Sequence, residues 1–240
     1  MCREDEEVTR VEPPPLDQQE IEDLIGTKVK NVSLFRKAFT HKSALKKYTL
    51  TESFETLEFM GDSVLGFVIT KMLFDRYEIE QEGFLTKART KLVRGNTLAQ
   101  IAKKLGLDRW VLMDDKGIRN GWNTNEKILE DVFEALIGAI YMDSGLLHAK
   151  QFILEIYNNP DYVDMNCISV DDNYKDQLMR YCQTNKLQLP QYNCVTVGSR
   201  FDSTVCVNGV EYGSGEGHNK KTAEQRAAYA TLVQFREITP

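Results

Sequence analysis

The sequence predicts two domains of different class: a mainly helical domain over residues 17–158, then a small α+β module, in the order α-β-β-β-α, over 171–240. Three observations carry this. Apolar residues recur at three- and four-residue spacing almost without a break from Leu16 to Ile156. After a polar stretch at 159–170 the period changes, and strand-like runs appear. The 240 residues, 42% hydrophobic and 28% charged, suffice for one large core and one small one.

The elements follow in chain order. Residues 1–16 lack periodicity and contain Pro13-Pro14-Pro15, which predicts a disordered acidic tail. Helices are expected at 17–25, 33–47, 54–77, 84–93, 95–105, 124–143 and 146–157, with Gly26, Gly83, Gly106 and Gly145 near the breaks. Segment 54–77 is apolar over most of its circumference, so it is either central or buried against a partner subunit. Residues 159–170 read as a linker. A helix at 173–185 then precedes strands at 191–197, 201–207 and 210–214. Asn208-Gly209 suits the tight turn between the last two, because both residues accept positive φ. A last helix runs from Lys220 to Phe235.

Composition narrows the function classes. No apolar run approaches the roughly 20 residues of a membrane span. The start, Met1-Cys2-Arg3-Glu4-Asp5-Glu6-Glu7, is acidic where a secretory signal is basic and then apolar. The five cysteines are odd in number and form no CxxC pair, so reduced thiols and an intracellular, cytoplasmic setting are expected rather than a disulfide framework or a zinc site. The net charge of −6 argues against a uniformly basic nucleic-acid binder. Half of it lies in residues 1–16, with two basic and five acidic side chains, and Asp161 and Asp164 add two more. The remainder is near neutral, so the placement of charge matters more than its sum. Residues 83–107 hold Lys87, Arg89, Lys91, Arg94, Lys103 and Lys104 and no acid, a surface able to track phosphates.

Two acid pairs stand on apolar helices. Glu58 and Asp62 are four apart and share a helix face; Asp131 and Glu134 are three apart and do the same. Like charges ~4 Å apart repel by roughly 4 kcal/mol at an effective dielectric near 20. Such pairs are relieved by protonation, by a neighbouring Lys or Arg, or by a divalent cation. Oxygen-only ligands favour Mg²⁺, with Mn²⁺ as a substitute.

At these residues the sequence resembles the ribonuclease III family. Glu55-Thr-Leu-Glu-Phe-Met-Gly-Asp-Ser63 is similar to the family signature NERLEFLGDS, with Phe54 in place of Asn. Glu130 to Gly145 resembles the second acidic segment, Leu34 to Ser43 the LTHRS segment, and Glu82 to Ala99 the helices between. The resemblance implies the family's endonuclease fold over 17–158 and a homodimer in which each subunit cuts one strand. It implies metal-assisted hydrolysis of double-stranded RNA, leaving 5′-phosphate and 3′-hydroxyl ends. Glu58, Asp62, Asp131 and Glu134 correspond to the metal-site acids, with Asp62 and Glu134 the catalytic essentials. Glu55, Glu82 and Lys127 correspond to accessory groups, and His41 to a structural one. The biological role implied is RNA processing or degradation, or interference with RNA silencing. Two rival readings are a non-cleaving binder that sequesters RNA and a structural ribosomal or complex subunit using the same folds; the four intact acids speak against both.

Residues 171–240 resemble a double-stranded RNA-binding domain. Gly217-His-Asn-Lys-Lys-Thr-Ala-Glu-Gln-Arg-Ala-Ala228 is similar to the pattern GxSKKxAExxAA. Lys220 and Lys221 sit at a helix N-terminus, where free N–H groups and the helix dipole also attract phosphate. The loop at Val197–Asp202 lacks the usual Gly-Pro-x-His, and Met179-Arg180 replaces a frequent Gln-Glu, leaving Arg180 and Arg200 as the basic residues able to take over those contacts.

Overall fold

Residues 11–169 and 172–238 are described in a computed structural model of the chain, and they divide into two units that part after residue 169. The first ten residues of the expected acidic tail, with Cys2, lie outside the described residues.

The first unit is helical. Helix α1 (Gln18–Ile25) starts where the Asp17 side chain accepts from the Gln19 and Glu20 amides. Helices α2 (Val32–Ala38), α3 (Glu55–Arg76), α4 (Glu82–Leu92) and α5 (Gly95–Lys104) follow. Then come a short α6 (Asp115–Arg119), α7 (Glu126–Ser144) and α8 (Leu146–Asn158). Helix α7 is the axis: every residue from Asp131 to Ile140 is buried, because α2, α3, α5 and α8 all pack around it. Phe35, Phe39, Leu65, Ile69, Phe133 and Tyr157 fill the core around it.

The structure departs from the periodicity in three places. The single helix expected at 33–47 is broken. Phe39 and Thr40 leave the helix to pair with residue 112, His41 N donating to Leu112 O at 2.9 Å and Leu112 N to Phe39 O at 2.7 Å. That exchange keeps the Phe39 ring fully buried; a 3₁₀ turn at Lys42–Lys46 follows. Second, residues 159–169, whose polarity suggested a linker, are fastened to the first unit. Val163 and Ile168 enter its core. Lys104 Nζ donates to Asp161 O at 2.6 Å and Tyr162 O at 3.1 Å, and Lys91 Nζ to Cys167 O at 3.0 Å. Two cations of the basic 83–107 stretch therefore hold backbone carbonyls. Third, residues 11–16 are largely exposed, yet Val11 exchanges hydrogen bonds of 3.0 Å with Lys47 O and Thr49 N.

The second unit consists of α9 (Tyr174–Thr184), an antiparallel sheet of β1 (Gln191–Val197), β2 (Arg200–Val207) and β3 (Val210–Gly217) in that order, and α10 (Lys220–Gln234). Leu178, Cys182, Val205, Val207, Ala227, Ala228 and Leu232 form its core. Strand β3 runs three residues past its expected end. Gly213, Gly215 and Gly217 lie against α10, where any Cβ would overlap that helix's backbone, so the strand shows no apolar alternation to read. Val197 pairs directly with Arg200, leaving only Gly198 and Ser199 as the β1–β2 loop.

Candidate active site

Helices α3 and α7 cross backbone to backbone. The contact is made by Gly61 and Gly138: a Cβ on Gly61 would overlap the Glu134 carbonyl, and one on Gly138 the Leu57 carbonyl. Neither glycine stands out in the sequence, because each lies within an apolar run and only the partner helix reveals why it is there. The crossing sets the acid-bearing turns opposite one another. One carboxylate oxygen each from Glu58, Asp131 and Glu134 lies within 4.8 Å of the others.

Burial makes that convergence costly. Asp131 and Glu134 are buried, and Glu58 half-buried. The Glu134 carboxyl is pushed up to about 8, first by burial and then by the charges of Asp62, Glu130 and Glu58, with Lys127 opposing. Glu58 is raised for the same reasons, burial first and Asp131 next. Lys127 Nζ sits 2.7 Å from Asp131 Oδ1 and 3.3 Å from Glu130 Oε2. Burial lowers the lysine, but the Asp131 bond and charge outweigh it and hold the ammonium above its ordinary value. Glu58, Asp62 and Glu130 thus add their charges to Glu134, and Lys127 opposes them. An all-oxygen donor set of three converging, buried or half-buried carboxylates fits a hard divalent cation.

Three of the four sequence-predicted acids meet. Asp62 is exposed, one turn beyond Glu58 and outside the converging three, yet it exerts the largest charge effect on Glu134. Glu130, which the sequence reading did not single out, contributes to the same field and packs its carboxylate against Gly95 at the start of α5. Glu55 lies exposed in the first turn of α3, 3.4 Å from Lys42. Glu82 opens α4 and accepts from Thr86 Oγ1 at 2.8 Å; it lines a separate cleft of about 420 Å³ with Thr70, Phe74 and Arg89. His41 caps the 3₁₀ turn, its Nδ1 accepting from Ser43 N at 3.2 Å. Its ring, held below the ordinary histidine value by burial and then Lys42, lies 5.8 Å from that of Phe54.

In the second unit, Lys220 and Lys221 are exposed at the N-terminus of α10, which the Asn219 side chain caps by accepting from Thr222 N at 2.8 Å. Arg200 is already engaged: Nη1 is 2.7 Å from Glu216 Oε2 and Nε 3.4 Å from Asp202 Oδ1. Two carboxylates offset the charge that the sequence reading offered to RNA. Arg180 likewise pairs with Asp176 at 3.1 Å.

Residues 31–160 match the family described as ribonuclease-III-like, and residues 174–234 the double-stranded RNA binding motif. The A464R protein of Paramecium bursaria Chlorella virus 1 is 40% identical over 221 residues, 90% of this chain and 78% of the relative. Ribonuclease 3 of Wolbachia pipientis subsp. Culex pipiens is 35% identical over 226 residues, 91% of this chain and 97% of the relative. The nuclease domain of ribonuclease III from Campylobacter jejuni, a structure described for flexibility in a region involved in dimer formation, superposes with a TM-score of 0.55. It is 35% identical and covers 60% of this chain and 98% of that one.

Proposed function

The chain belongs to the ribonuclease III family and is a double-stranded-RNA-specific endoribonuclease, a hydrolase, and we propose that it cuts by metal-assisted hydrolysis at the α3–α7 acid cluster. The carrying observation is the convergence of Glu58, Asp131 and Glu134 within 4.8 Å. These residues, with Asp62 at the rim, would hold the cation, Mg²⁺ or Mn²⁺. When bound, it supplies a Lewis acid for the phosphodiester and lowers the pKa of water.

The chain's own groups do the rest. Lys127 stands beside Asp131, placed to offset negative charge on the phosphate as it builds. Apolar α3 and α7 beneath the cluster exclude bulk water and keep the local dielectric low. The water oxygen bonds to phosphorus, the P–O3′ bond breaks, and the 3′ oxygen takes a proton. The products are therefore a 5′-phosphate and a 3′-hydroxyl. Lys220 and Lys221 hold duplex phosphates, as the motif at 174–234 supports. Long duplex RNA should be cut in Mg²⁺ to fragments that ligate through 5′-phosphates, and left intact in EDTA. Equal cleavage in EDTA would refute the metal-assisted step.

The working unit we propose is a homodimer formed through α3. Phe59, Phe67 and Phe74 are 75%, 59% and 65% exposed. Their spacing sets them on one face of the helix, and three large aromatic side chains exposed along one face favour an interface there. Light scattering should give about twice the 27.5 kDa chain mass; an active monomer would contradict the assembly. No helix of the described residues is long and apolar enough to cross a membrane. The free thiols of Cys182, Cys194 and Cys206 suit a cytoplasmic setting. The role served there is RNA processing or degradation, with interference with RNA silencing as a further use of the same activity.

A further inference from the structure

A cleft of about 560 Å³ opens on the second unit between α9, the start of β1 and the N-terminal turn of α10. Met179, Leu189, Pro190 and Tyr192 make most of its surface apolar, and polar side chains, Lys175, Asp176 and Lys221 among them, complete the lining. Met179 and Leu189 are 37% and 55% exposed, where a module binding only phosphates gains nothing from apolar side chains. The Tyr192 hydroxyl is buried without a hydrogen-bond partner, and the Lys175 ammonium lies 4.4 Å from its ring centroid.

The charges on the rim differ in availability. Lys175 is paired with Glu224 at 2.5 Å, and Asp176 with Arg180 at 3.1 Å. Lys221, which also lines the cleft, makes no ion pair among the described residues, nor does its neighbour Lys220. The open positive charge therefore stands at one edge of an apolar hollow, at a helix end that attracts phosphate. The β1–β2 loop offers less: it is two residues long, and Arg200 at its end already pairs with two carboxylates.

We propose that this cleft takes an unpaired nucleotide adjoining the duplex, its phosphate on Lys220 and Lys221 and its base or ribose against Met179, Leu189 and Pro190. Bases inside a duplex are stacked, paired and closed to such a cleft; a bulged or loop nucleotide is not. A base laid on apolar and aromatic side chains gains affinity with little dependence on its identity. The proposal rests on the double-stranded RNA reading above and adds, within that substrate class, a preference for duplexes carrying an unpaired nucleotide.

The test uses the full chain in EDTA, which prevents cutting, and fluorescence anisotropy with two RNAs. One is a blunt duplex of about 20 base pairs, longer than one module spans; the other is the same duplex with a single bulged nucleotide. The bulged RNA should bind about tenfold more tightly. In Met179→Gln with Leu189→Gln, both at exposed positions, that ratio should collapse towards one. A wild-type ratio near one assigns the cleft to some other occupant and overturns the proposal, as does a ratio that the double variant leaves unchanged. Failure to bind or cut the blunt duplex at all would instead strike at the ribonuclease reading.

Discussion

Glu134→Gln should reduce cleavage of duplex RNA on the order of 10³-fold or more, while binding in EDTA stays near wild type. Glu134 joins Glu58 and Asp131 within 4.8 Å and is the most strongly perturbed of these acids. Gln keeps its shape but removes the charge that would hold a cation. Lys220 and Lys221, which we propose hold phosphate, lie in the other unit, so affinity for RNA is not expected to follow. Asp62→Asn should fall in the same direction, since Asp62 acts on Glu134 from the rim. Gel analysis of labelled duplex reads both; full cleavage by either variant in Mg²⁺ would remove that residue from the centre.

The second large effect comes from a residue with no chemistry. Gly138→Ala drives a methyl group into the Leu57 carbonyl, and Gly61→Ala drives one into that of Glu134. Overpacking typically costs ~1–3 kcal/mol, and backbone on both sides leaves no side chain to yield, so the upper end is expected. For a chain this long that is roughly 5–10 °C in melting temperature. The sharper consequence is geometric: parting α3 from α7 separates Glu58 from Asp131 and Glu134. Cleavage by the folded fraction should fall with stability, as calorimetry and single-turnover rates would show together. An Ala variant with unchanged melting and unchanged rate would mean that the crossing does not position the acids.

This pair of glycines also shows where sequence reading stops. The two acid pairs are legible because i, i+4 and i, i+3 spacing on apolar helices is a local property of one chain segment; that Glu58 rather than Asp62 meets Asp131 and Glu134 is not. Gly61 and Gly138 are not, since their role is set by a helix more than 70 residues away. The same holds for Phe39 and Thr40, which leave a helix for a partner at Leu112, and for Lys91 and Lys104, whose charges looked available for phosphate until residues 159–169 appeared beside them. Strand β3 was misjudged at its end for the converse reason: three alternating glycines leave no hydrophobic pattern where α10 presses closest.

The central claim, that the α3–α7 acids form a cation centre, is tested most directly by thermal unfolding between pH 5 and 9, with and without Mg²⁺. Glu134 is raised in the folded chain from an ordinary 4.5 to about 8, so the folded state keeps a proton that the unfolded chain releases. The stability this brings is complete below about pH 4.5 and is lost as pH rises towards 8. Metal-free protein should therefore melt at progressively lower temperature over that range. Mg²⁺ at about 100 times its dissociation constant should restore ~2.7 kcal/mol, roughly 5–10 °C, with the larger gain at pH 8 than at pH 6. Glu134→Gln should flatten the metal-free slope and remove most of the Mg²⁺ gain. A Mg²⁺ gain of equal size in wild type and Glu134→Gln, or none in wild type at pH 8, would contradict the account.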